Sequence, residues 1–206
     1  MGAGDRSLEF AVDDLGTKAN VGAINFTQVS GTTSGGGTNT YTKTYSTNGT
    51  QSYRSDGSQN TVDNGHCFQG YYSGTNGNQF SLITLPYTTI QSDLSGATIS
   101  KVEVYLDNIH WYNNSGGTAV IGTHTYGTIP GSANYANVNP DISESSFTYG
   151  QAKWVTVANS IGNALRDNTA KGIALGKGPT TSHTYYGYFA GNGQTGEPKV
   201  RITYTK

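Results

Sequence analysis

Five Asn-Gly or Asp-Gly pairs punctuate this chain, at Asn48-Gly49, Asp56-Gly57, Asn64-Gly65, Asn76-Gly77 and Asn192-Gly193. Both residues of such a pair tolerate positive φ, which tight hairpin turns demand. Turn signals at this density leave room only for short antiparallel strands. The first pair separates TYTKTYS from TQSYRS, with Tyr41, Lys43 and Tyr45 on one strand face, and predicts a two-residue hairpin.

The second half alternates with period two. Val102, Val104 and Leu106 point one way and Lys101, Glu103 and Tyr105 the other; Val200, Ile202 and Tyr204 oppose Lys199, Arg201 and Thr203. These strands belong to a sheet with one face dry and one wet. Further strands are expected at 119–122, 154–157, 172–175 and 185–190. One short helix is expected, where Val157, Ile161 and Leu165 recur at helical spacing despite Gly162. The fold class is therefore all-β, an antiparallel β-sandwich of jelly-roll type with one helix at its end.

Upstream, residues 1–28 carry a weak amphipathic pattern in Leu8, Val12, Leu15 and Ala19, and read as an extended stem or a short helix. The run SGTTSGGGTNT over 30–40 reads as a flexible linker. The expected organisation is stem and linker over 1–40 and a sandwich over 41–206.

Composition narrows the partners. Of 206 residues, 12% are charged and the net charge is −1, which lacks the basic face that nucleic acid requires. There is no long apolar run for a membrane span. Tyrosine is abundant, at 15, while the apolar fraction is only 33%. A weakly charged, Tyr-rich surface suits glycans or other protein chains. The lone Cys67 cannot form an intrachain disulfide and reads as a small buried hydrophobe.

Catalytic patterns are sparse. Residues 191–196, GNGQTG, match a dinucleotide-loop spacing, but Glu197-Pro198 and a strand follow where a helix is needed. No G-x-S-x-G elbow occurs. Asp141 and Glu144 are the carboxylates a glycosidase would use, with no sign that they face a cleft. Asp56, Asn60, Asp63 and Asn64 supply oxygens for an irregular Ca²⁺ site. Neither carries the reading, which has no cofactor, no metal and no catalytic residue.

The aromatics are the binding candidates. Trp111-Tyr112 precede the Asn113–Gly117 turn, and Tyr71-Tyr72 and Tyr185, Tyr186 and Tyr188 add further rings. In a strand, one member of each adjacent pair must face outward. His110 and His124 are expected to flank the turn and to face each other across a hairpin. The candidate ligand-binding set is His110, Trp111, Tyr112, Asn113, His124, Tyr186 and Tyr188.

From Cys67 onward the chain reads CFQGYYSGTNGNQFSLITLPY, GATISKVEVYLDNIHWYNNSGGTAVIGTH, KWVTV, GNALRDNTAKGIALG, YYGYFAG and EPKVRITYTK. These motifs, over about two thirds of the chain, resemble the C-terminal domain of minor tail or tail-fibre proteins from phages of actinobacteria. The order of strands around a short helix also resembles the DNRLRE-type jelly-roll modules of cell-surface proteins. The first resemblance implies a virion tail protein assembled in the host cytoplasm. It implies a homotrimer held with other virion proteins, and a tip that binds a host cell-surface glycan. Two alternatives stand beside it: a structural virion protein, such as a capsid decoration or head fibre, and a carbohydrate-binding module of a secreted bacterial protein.

Overall fold

The computed structural model describes residues 38–206. The expected stem, and the linker up to residue 37, lie outside the described residues. Eleven strands and two helices follow: β1 Thr40–Ser46, β2 Gly49–Arg54, β3 Cys67–Ser73, β4 Gly77–Thr84, α1 Tyr87–Leu94, β5 Thr98–Trp111, β6 Gly117–His124, β7 Val138–Phe147, β8 Ala152–Val157, α2 Asn159–Arg166, β9 Gly172–Leu175, β10 Gly187–Phe189 and β11 Lys199–Thr205. Every pairing among them is antiparallel.

The strands form an all-β sandwich. One sheet runs β1-β11-β5-β8; the other joins β2, β3, β4, β9, β6 and β7. Short β10 pairs with β3 on one edge and with β5 on the other, so it bridges the two sheets. Long β5 makes this possible. Thr98–Tyr105 pair with β11, and Asn108–Trp111 pair with β10.

The first sheet has the expected alternation. Val102, Val104, Leu106, Val200 and Ile202 enter the main core, joined from the second sheet by Ile83, Ile121, Ile173 and Leu175. On the opposite face of the first sheet Arg201 pairs with Glu103 at 2.8 Å and lies over the Trp154 ring. The second sheet is covered on both faces around β2, β4 and β9. The segment between β6 and β7 folds Tyr126, Ile129, Ala133 and Tyr135 over Tyr53, Phe80 and Leu82, making a second apolar cluster. This is why β4 and β6 are buried almost continuously rather than alternately.

Two local expectations change. Asn48-Gly49 is not a hairpin turn, because β1 pairs with β11 and β2 with β4. The chain crosses there from one sheet to the other, held by Thr47 Oγ1 donating to the Thr84 carbonyl at 2.8 Å. There are also two α-helices among the described residues, not one. The expected helix is α2; α1 packs beside it and buries Ile90 and Leu94. Gly162 has a packing reason, since a Cβ there would come within 2.6 Å of Val102 Cγ2. The bare glycine lets α2 lie directly on β5.

A candidate aromatic binding face

β10 lies between β3 and β5, and its register sets three rings in a row across the sheet. Tyr188 stands opposite Phe68 on one side and His110 on the other. Tyr188 stacks on Phe68 with centroids 4.5 Å apart and on His110 at 5.1 Å. Three adjacent strands span about 10 Å. The row continues at both ends. His110 meets Tyr149 at 5.9 Å, and Phe68 leads through Tyr186 to Tyr72 and Tyr112. Tyr112 stacks flat on His183, 3.9 Å apart and 8° from parallel, and His183 meets Tyr71. His66 closes on Tyr188 at 5.0 Å. Rings from β3, β5, β10 and the adjoining loops thus form one connected network.

The ends of the network are its most exposed parts. Tyr149 is 52% exposed at one end, and Tyr112 and Tyr72 are 46% and 42% exposed at the other. His66, Phe68, His110 and Tyr188 are half-buried and make a floor between them. Among the described residues, none of these rings takes part in an ion pair or a cation–π contact. Burial, with Tyr72 and Tyr188 alongside, pushes the Tyr186 phenol up to about 12. Burial also raises Tyr188. Both phenols are therefore uncharged at neutral pH.

Of the expected ligand-binding residues, the structure brings together His110, Tyr112 and Tyr188, with exposed Asn113 at the adjoining turn. Tyr186 joins the network but is buried, at 7% exposed, and packs against Phe68, Tyr72 and Tyr112 instead of facing a ligand. Trp111 is a correction. Its ring is fully buried in the core, 5.6 Å from the Phe189 ring, and is closed in by Gly117 and Gly187. The reason is a β-bulge. The register with β10 passes from His110 to Asn108 over a single step, leaving Ile109 unpaired. The alternation set by Val102, Val104 and Leu106 therefore inverts, so Trp111 turns inward and His110 and Tyr112 turn outward. Buried Asn108 holds the bulge by donating to the carbonyls of His110 at 2.9 Å and Tyr188 at 3.2 Å.

His124 is a second correction. It is 1% exposed, and its Nε2–H donates to the Ile83 carbonyl at 3.1 Å while Nδ1 accepts from the Tyr126 amide. It does not face His110, because β6 pairs with β7 and β9 and not with β5. Burial holds its pKa down at about 4.

Phe68, Tyr149, His66 and His183 lie outside the expected set. Phe68 is within reach of the strand argument: in CFQGYYS, Cys67 and Gln69 are buried, so Phe68 points out. His66, two residues before Phe68, falls on the same face by the same alternation although it lies just ahead of β3. Tyr149 and His183 come from outside the strands, where no periodicity places them. Buried polar groups fix this arrangement. Gln69 donates to the carbonyls of Thr118 at 2.7 Å and Tyr185 at 2.8 Å and accepts from the Val120 amide. Ser52 and Ser81, bonded to each other at 3.0 Å, secure the start of β3 through the His66 and Phe68 carbonyls.

The remaining motifs are occupied locally. Lys177 bonds both Asp141 and Glu144 at 2.6 Å, which raises its pKa. The Asp63 carboxylate accepts from the amides of Ser52 and Gly65, and the Asp56 carboxylate accepts from the Ser58 amide. In the GNGQTG loop, the amides of Gly191, Asn192 and Gly193 go to Gln194, Thr50 and Glu197. Among the described residues, no group of three His, Cys, Asp or Glu side chains is placed to hold a metal ion. Compared with family models and with curated proteins, the chain matches none.

Proposed function

We propose that this chain is the tip of a phage tail fibre or minor tail protein, and that its aromatic face binds a glycan on the surface of the bacterial host. The observation that carries this reading is the connected ring network. It is open, exposed at both ends and, among the described residues, made of rings over which no cation lies. Aromatic rings bury the apolar C–H faces of sugars, while hydroxyl, amide and imidazole groups at their margins bond the polar edges. A peptide strand is a poorer fit, since β10 is paired on both edges and offers no free strand edge for augmentation. The tail placement rests on the sequence resemblance, as does assembly into a homotrimer with other virion proteins.

The test is binding of the fluorescently labelled chain to a panel of actinobacterial cells, before and after cell-wall polysaccharide is stripped. Strain-selective binding that disappears on stripping is the expected result. Equal binding before and after stripping, or none to any strain, would overturn it.

A further inference from the structure

Two imidazoles in the network are locked by backbone carbonyls. His66 Nδ1 lies 2.8 Å from the Asp63 carbonyl, and His183 Nδ1 lies 3.1 Å from the Tyr71 carbonyl. A carbonyl only accepts, so in each ring Nδ1 carries the proton and donates it. In the neutral ring Nε2 is then a bare acceptor. Among the described residues neither Nε2 has a partner, and neither is a buried polar atom. Both therefore keep an unused lone pair at atoms that are not fully buried.

Their positions are as informative as their chemistry. His66 precedes the first residue of β3, and His183 sits on the carbonyl of Tyr71 near the end of the same strand. The run of β3 from His66 to Tyr71 covers roughly 15 Å at the usual rise of a strand. The half-buried Phe68 and Tyr188 rings lie between them, with buried Tyr186 packed against Phe68.

We propose that His66 and His183 are the two hydrogen-bonding ends of this face, and that its ligand is an uncharged, polyhydroxylated chain long enough to touch both. This rests on the glycan reading above. Each Nε2 accepts from a ligand hydroxyl, and the rings between them take the apolar faces of the intervening sugar units. The length requirement follows from the spacing, because one sugar ring cannot reach both imidazoles. The absence of charge follows from the site, because among the described residues no cation lies over these rings to compensate an acid group brought onto an aromatic floor.

The experiment uses the full chain and a series of uncharged hexose oligomers of increasing length, from the monosaccharide upward and in several linkages, with uronic-acid oligomers as the charged comparison. Affinity is expected to climb with length and then level off once both ends are engaged. His66→Phe and His183→Phe keep a ring in the stack and remove both ring nitrogens, the Nδ1 donor as well as the Nε2 acceptor. Each is expected to weaken the long oligomers about five- to tenfold, the worth of one hydrogen bond, and to leave the shortest binders nearly unchanged. Nitrogen NMR of the histidines gives a second readout: Nδ1–H tautomers in the free protein, with the Nε2 signals of both residues moving on binding. Affinity independent of length, tighter binding of the uronic oligomers, or unchanged binding by both Phe variants would overturn the proposal while leaving glycan binding intact. Failure of every oligomer and of stripped-cell discrimination would overturn the glycan reading itself.

Discussion

At pH 7 the His124 imidazole is neutral, because both ring nitrogens are used by backbone groups in a site closed to solvent. Its folded pKa of about 4 lies below the ordinary 6.5. The unfolded chain therefore binds the extra proton first as pH falls, and stability rises with pH between those two values. The difference amounts to about 3 kcal/mol when fully expressed. Denaturant titrations from pH 4 to pH 7 are expected to show stability climbing over this range. His124→Gln is expected to be less stable at pH 7 but to lose most of that slope; an unchanged slope would place the dependence elsewhere. Glu103 acts at lower pH. Arg201 and Lys101 hold its carboxyl down at about 2, so its contribution is present above about 4.5 and is lost as pH falls towards 2. The two windows meet at about pH 4, which lets the two groups be read separately.

At the scale of the strand, the binding face depends on how closely β10 approaches the end of β5. A Cβ on Gly187 would collide with the Trp111 ring and come within 2.7 Å of the His110 carbonyl. Gly187→Ala is therefore expected to destabilise the protein by about 1–3 kcal/mol, the usual range for overpacking. It should also disturb the near-ultraviolet circular dichroism of the stacked rings more than a comparable change on α2 would. A variant with native stability and native aromatic signal would show that β10 can shift without cost. The same strand shows what the sequence makes legible and what it hides. Alternation in β5 and β11 identifies the first sheet and its dry face, and Val157, Ile161 and Leu165 identify α2. The bulge at Ile109 is invisible to alternation, since a single unpaired residue inverts every side chain beyond it. Trp111 is thereby turned into the core, while His110 and Tyr112, expected beside it, stay on the outer face. Asn48-Gly49 misleads for a related reason: the dipeptide permits a tight turn but does not require one, and the partners of β1 and β2 are decided by strands distant in sequence. His66 and Tyr149 are distant from β10 in sequence, so only the assembled fold brings them beside it, whereas His183 lies four residues before that strand.

For the whole molecule, the proposed trimer ties the binding face to its use. Single sugar sites on an open surface are weak, because nothing encloses the ligand and little of its area is buried. Three copies acting together raise the effective concentration of each face, and avidity then exceeds single-site affinity by about 10²–10⁴-fold where the geometry allows simultaneous engagement. An apolar fraction of 33% is low for a chain that must satisfy its burial alone, and association of copies is one way to supply the rest. Sedimentation equilibrium of the intact chain is expected to give three times the 21.7 kDa chain mass. Replacing Tyr72, Tyr112 and Tyr149 by Ser removes the three most exposed rings of the network without touching the core. That variant should remain trimeric and keep its unfolding midpoint, yet lose cell binding far more steeply than it loses binding to a soluble oligosaccharide, because avidity compounds the loss at each face. A monomeric mass for the intact chain would remove the trimer. Equal losses on cells and on soluble sugar would show that the three faces do not act together.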